Sequence, residues 1–283
     1  MSKIVELFGH DVSLVPPEEW KEIIQEQTCI YTNTKCFKVR KSQPEISVGT
    51  CTVNYGKQEH NIIICPKRLL QKRQVFTDCI HLLTKHEPGN EFHVVSEISI
   101  PGGSIDYFLV SPRDNKVQDF VGIEFQTLDT TGTVFPKRQR LLKSFGIDVE
   151  EKDVISKKKF GMNWKMTAKT ILIQLHHKVD TFEHSGKNLV LIVQDYFLDY
   201  MKKEFNFSHL SQPSRLGDSM HIHSYSLDKE NANFKLKLSE RLSTDSQGIS
   251  TCMGLQADAK VEFARIITNI EAKLSDDTLL TLG

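Results

Sequence analysis

The stretch that most constrains this chain is residues 101–129, PGGSIDYFLVSPRDNKVQDFVGIEFQTLD. A Pro-Gly-Gly turn opens it. Two runs of β-prone residues, 104–110 and 120–127, then flank a polar loop, which is the pattern of a hairpin. Side chains alternate along a strand, so residues two apart share a face. In the second run Val121, Ile123 and Phe125 make an apolar face, and Gly122, Glu124 and Gln126 make the other. Asp106 lies in the first run, and pairing of the two strands brings it to Glu124. Two carboxylates beside a short polar side chain suit a hard divalent cation that keeps several waters, magnesium above all. Such a cation activates water and neutralises charge on a phosphate. The plainer alternative is a half-exposed strand whose polar face meets solvent. A Gly-rich turn and an acid inside an apolar strand favour the catalytic reading.

Asp106, a spacer of 17 residues, then Glu124-x-Gln126 resembles the core of the PD-(D/E)xK nucleases, with Gln where Lys is usual. Residues 127–133 (TLDTTGT), residues 161–178 (GMNWKMTAKTILIQLHHK) and a cysteine series ending in Ile64-Cys65-Pro66 resemble the NotI-like type II restriction endonucleases. The likeness spreads over most of the chain. It implies an α/β fold with a restriction-endonuclease-like core, a central mixed sheet flanked by helices. A small N-terminal cysteine-rich metal-binding lobe, residues 1–66, would precede a nuclease domain, residues 67–283. It also implies magnesium-dependent, sequence-specific hydrolysis of double-stranded DNA, leaving 5′-phosphate and 3′-hydroxyl ends. Asp106 and Glu124 would then hold the magnesium. Gln126, which can neither act as a base nor carry charge, would orient the water. A homodimer is expected, since a palindromic site mirrors two-fold protein symmetry. Two alternatives stay open: a repair or recombination nuclease that cuts by structure, and a non-catalytic DNA-binding protein stabilised by metal.

Composition permits all three. With 283 residues the chain makes one large domain or two small ones. Thirty-six basic and 36 acidic residues balance, which argues against a sheath-type DNA binder but not against a nuclease with a locally basic groove. The N-terminus lacks a signal-peptide pattern and no apolar run reaches membrane-spanning length. A cytoplasmic, prokaryotic protein without disulfides is expected.

Four of the six cysteines, Cys29, Cys36, Cys51 and Cys65, fall in a polar, strand-like region with little core of its own. Four thiolates there suit a structural tetrahedral metal. The resemblance makes iron the first expectation and zinc the second. The alternative is that they are small buried hydrophobes. Cys79 and Cys252 are expected to take no part.

In order, the pattern predicts a helix from Pro16 to Gln27 and an amphipathic helix over 66–86. A strand over 92–100 follows, with Glu97 as a possible further acid. Lys137, Arg138 and Arg140 behind the active strand, and Lys165 further on, are candidates to bind DNA phosphates, or else a solvated helix face. A helix over 163–178 is expected, with Asn163 as its N-cap. A strand buried on both faces (Asn188–Gln194) and a helix over 195–205 come next. Two antiparallel strands follow, over 220–227 and 233–238. Their polar faces carry His221, His223, Lys235 and Lys237, candidates for DNA contact. A polar turn over 242–248 and an amphipathic helix over 258–273 close the chain.

Overall fold

By Asp11 the chain has already built two strands of a small four-stranded sheet; the computed structural model describes residues 3–254, 265–268 and 270–273. That sheet has the order β2-β1-β3-β4. It comprises β1 (Ile4–Leu7), β2 (His10–Asp11), β3 (Thr50–Tyr55) and β4 (His60–Ile63), with helix α1 (Trp20–Glu26) inserted after β2. The central sheet follows, from β5 (His93–Ile100), β6 (Gly103–Arg113), β7 (Lys116–Gln126), β8 (Asn188–Gln194), β9 (Met220–Glu230) and β10 (Asn233–Thr244). Its order is β10-β9-β8-β7-β6-β5. β7, β8 and β9 run parallel, and the remaining pairs are antiparallel. Helices α2 (Phe135–Ser144), α3 (Trp164–His184), α4 (Asp195–Glu204) and α5 (Ser246–Cys252) complete the larger elements. The expected mixed sheet with flanking helices is present.

β8 shows why the sheet is central. Leu189, Leu191 and Val193 point into one apolar layer with α3 and α4, while Val190 and Ile192 point into the other. A strand covered on both faces has no use for polar alternation. The N-terminal sheet is packed into the same interior. Ile4, Val53 and Ile62 share the α3-side cluster. The Gln194 side chain accepts from the Ile63 N–H at 2.9 Å and donates to the Asn61 carbonyl at 2.8 Å.

Several expected elements are corrected. Residues 66–86 are not one helix. A 3-10 segment (Pro66–Arg73) leads into a short helix (Gln74–Thr77) and a final 3-10 turn (Ile80–Leu82). The chain turns at Gln71–Arg73, where Lys72 and Arg73 have φ of 51° and 55°. Leu69, Val75, Phe76, Leu82 and Leu83 are nonetheless buried, because the break lets the segment lie flat under the sheet. α3 runs six residues past Lys178, to His184, and Asn163 makes no side-chain cap. His221 and His223 are fully buried rather than offered to DNA, because the 66–86 segment covers that face of β9. Residues 242–248 are not a polar turn. β10 continues to Thr244, and Asp245 caps α5 by accepting from the Gly248 N–H at 2.7 Å. Of the closing helix expected over 258–273, residues 265–268, 270 and 271 are helical; Val261 and Ala264 lie outside the described residues.

Candidate active site

The β6–β7 ladder runs from Arg113↔Lys116 to Tyr107↔Ile123 and ends there. Beyond that pair the acidic side chains bridge the two strands. The Phe125 N–H donates to Asp106 Oδ2 at 2.8 Å, and the Asp106 backbone N–H donates to the Glu124 carboxylate. Each acid therefore caps a backbone donor of the opposite strand. The alternation of β6 slips at the same place. Ile105 and Phe108 face the α3 side, whereas Tyr107 and Leu109 face the other layer. Glu97, opposite Asp106 between the pairs Ile98↔Ile105 and Ser96↔Tyr107, is exposed and has φ of 58°.

The two acids sit in different surroundings. Asp106 is half-buried, and Glu124 is 5% exposed. Burial pushes the Glu124 carboxyl up to about 7; a hydrogen bond from Lys178 opposes the rise, and the nearby Asp106 charge adds to it. Gln126 follows Glu124 on the same face and is half-buried. Its Nε2 donates to the Thr127 carbonyl at 2.7 Å, which fixes the amide. The expected trio of Asp106, Glu124 and Gln126 thus lies at the open end of one strand pair.

A fourth group was not anticipated. Lys178 of α3 donates from Nζ to Glu124 Oε1 at 2.7 Å, with both side chains almost wholly buried. The Pro-Gly-Gly turn makes room for it. Gly102 has φ of 90°, and a Cβ there would lie 2.5 Å from the His177 carbonyl oxygen. Gly103 has φ of 134°, and a Cβ there would lie 3.3 Å from Lys178 Cε. Thr181 Oγ1 donates to the Pro101 carbonyl at 3.3 Å, seating the turn on the helix. The sequence did carry a signal: Lys178 stands in the stripe of Ala168, Ile171, Leu172, Leu175, Val179 and Phe182, where helical spacing calls for a hydrophobe.

The family model for restriction endonuclease NotI matches residues 19–236. The chain belongs to the NotI restriction endonuclease family. The NotI match contains Asp106, Glu124, Gln126, Lys178 and the first five cysteines. Membership makes the protein a DNA-cleaving hydrolase of the restriction type. No curated protein sequence matches the chain. Among the described residues, no helix is long and apolar enough to cross a membrane.

Two of the basic residues expected to reach DNA are otherwise engaged in this NotI-family chain. Arg138 is 2% exposed; its Nε donates to the Val48 carbonyl at 2.8 Å and its Nη2 to that of Ser47 at 3.3 Å. Arg140 donates to the carbonyls of Val154 and Ser156. Both tie α2 to neighbouring loops, and the Arg138 guanidinium is buried there. Lys137 is half-buried, and Lys165 is exposed in the first turn of α3.

Cys29, Cys36, Cys51 and Cys65 are all buried and line one cavity of about 60 Å³, together with Phe8 and Lys67. A hydrogen bond from Cys51 holds the Cys65 thiol down at about 6 against its burial; Lys38 and the backbone N–H groups of Lys67 and Arg68 act in the same direction. Burial pushes Cys36 up. Among the described residues, no group of three or more His, Cys, Asp or Glu side chains stands in metal-holding geometry. The lobe therefore offers a four-thiol cavity, and its donors are not drawn into a closed shell.

Proposed function

We propose that the protein is a type II restriction endonuclease that hydrolyses double-stranded DNA at a specific, palindromic sequence. The observation that carries this reading is the pair of carboxylates at the open end of the β6–β7 ladder, one of them buried beside a cation. Two carboxylates and a neutral amide are too few donors for an all-protein cage, and they match the sparse, partly hydrated shell that magnesium prefers. Held by Asp106 and Glu124, magnesium supplies a Lewis acid and lowers the pKa of a bound water. Gln126 orients the attacking water, accepting its hydrogen bond at the amide oxygen while Nε2 stays on the Thr127 carbonyl. Attack of the water oxygen on phosphorus breaks the P–O3′ bond and leaves 5′-phosphate and 3′-hydroxyl ends. The enzyme acts as a homodimer, one site on each strand of the palindrome.

The cysteine lobe belongs to the same reading as a structural element. Four thiols around one small cavity suit iron or zinc, and four thiolates would leave no open position for chemistry. Elemental analysis of protein never exposed to chelator should find one iron or zinc per chain. Cys→Ser at position 29, 36, 51 or 65 should release it, and the same change at Cys252 should not. Protein free of both metals refutes the site.

Digestion of a mixed library of double-stranded DNA, with and without magnesium, followed by sequencing of the ends, tests the activity. A single recurring end sequence that depends on magnesium is expected. Cuts without a common sequence would replace this reading with a structure-specific nuclease. Sequence-specific binding without cuts would make the protein a non-catalytic DNA binder.

A further inference from the structure

Lys178 occupies a core position of α3, among Ile171, Leu172, Leu175, Val179 and Phe182, and is 6% exposed. Burying an ammonium is costly unless it is paired, and this one reaches a single carboxylate oxygen, Glu124 Oε1 at 2.7 Å. If the pair served only to fasten α3 to the sheet, two packed hydrophobes would do as well or better. The backbone beside it is also open, since a Cβ at Gly103, whose φ is 134°, would lie 3.3 Å from Lys178 Cε. The next side chain on the catalytic face of β7, Gln126, is neutral and is held on the Thr127 carbonyl. The site thus lacks a strand-borne cation and receives one from the helix.

We propose that Lys178 is a catalytic residue, a helix-borne ammonium that stabilises the negative charge gathering on the scissile phosphate, a task the amide of Gln126 cannot perform. The inference rests on the reading of Asp106 and Glu124 as the reacting centre. Lys178 keeps its protons throughout and forms no bond to the substrate. Its positive charge stays fixed beside Glu124 while water adds to phosphorus and the 3′-oxygen leaves. Donors placed where charge develops are the largest single source of stabilisation in many enzymes.

Four proteins test this in magnesium on the mixed DNA library: wild type, Lys178→Met, the double variant Gln126→Lys/Lys178→Met, and Glu124→Gln. Lys178→Met should cut at least about 100-fold more slowly in single turnover. Its affinity in calcium for the fragment carrying the wild-type cut site should stay within about threefold. The double variant, with its lysine moved to the strand, should cut at least about tenfold faster than Lys178→Met. A merely structural ion pair predicts no such recovery in turnover at unchanged affinity. Lys178→Met cutting within about threefold of wild type overturns the proposal, as does a folded double variant no faster than the single one. If Lys178→Met loses its cooperative melting transition, Lys178→Arg and Lys178→Gln replace it, and equal rates for these two overturn the proposal. Failure of the underlying reading looks different, because then wild type makes no magnesium-dependent cuts or Glu124→Gln cuts as wild type does.

Discussion

Glu6 and Glu124 are both strand-borne, both buried and both paired with a buried cation, yet their surroundings could hardly differ more. Arg68 Nε reaches both oxygens of Glu6, at 2.9 and 2.8 Å. Thr52 donates to one of those oxygens and Tyr31 to the other. The Arg68 guanidinium also lies over the Tyr31 ring and reaches the Phe234 carbonyl. This network joins the N-terminal sheet to the β9–β10 hairpin. Glu124 has one ammonium, one backbone N–H and a neighbouring acid that repels it. A carboxylate with its acceptor sites filled locks structure in place. One left short of partners, and pushed up towards neutrality, is poised to take another cation. Mutations should separate the two pairs cleanly.

The largest effect is expected at the open end of the ladder. Glu124→Gln or Asp106→Asn should lower cleavage on the order of 10³-fold while leaving DNA binding in calcium measurable. Near wild-type cutting by either folded variant would place the reacting centre elsewhere. Arg68→Met should act on the other side of the comparison. Removing one partner of a buried pair costs about 3–5 kcal/mol. The loss should show in the midpoint of urea unfolding, with turnover per folded molecule unchanged; a smaller loss than that of Lys178→Met would reverse the comparison. Acidity should then distinguish the pairs. Glu124 is protonated, and so a poor ligand, below about 7. The magnesium needed for half-maximal cutting should therefore rise as pH falls through 7, by up to about tenfold per unit, and level off above it. A magnesium requirement flat from pH 6 to 8 would contradict that environment for Glu124. The smallest effect is Gly103→Ala, which places a methyl 3.3 Å from Lys178 Cε on a backbone with φ of 134°. It should cost about 1 kcal/mol of stability and slow cutting a few-fold. Loss of stability without any slowing would separate the turn from the site.

Much of the site was legible because it is written in strands. Alternation in 120–127 separates Val121, Ile123 and Phe125 from Glu124 and Gln126, and the structure keeps that division. In β6 the same rule fails at Asp106, where alternation slips and Ile105 and Tyr107 part company. A local rule of period two has no means of announcing such an irregularity. The helix expected over 163–178 stops at Lys178, six residues short of its observed end. α3 runs on to His184, so Lys178 falls inside its buried stripe, and the Pro-Gly-Gly turn packs beside it. The reverse error occurred at His221 and His223, where alternation was right but the covering layer comes from residues more than a hundred positions earlier. The amphipathic helix expected over 66–86 keeps an apolar side against the sheet but not its continuity. The turn at Lys72 and Arg73 has no glycine to mark it, and the layer beneath the sheet dictates it. Arg138 and Arg140 show the limit of counting charge, since both guanidiniums satisfy carbonyls that no local pattern identifies.

The reciprocal caps at the end of the β6–β7 ladder also tie substrate chemistry to amide exchange. The Phe125 N–H is sheltered by Asp106, and the Asp106 N–H by Glu124. A cation that draws those carboxylate oxygens to itself withdraws them from the two amides. Hydrogen exchange at these positions then becomes a gauge of site occupancy that needs no DNA and no turnover. Loading the site would quicken exchange at Phe125 and Asp106 while leaving Tyr107 and Ile123, paired by the ladder itself, as slow as before.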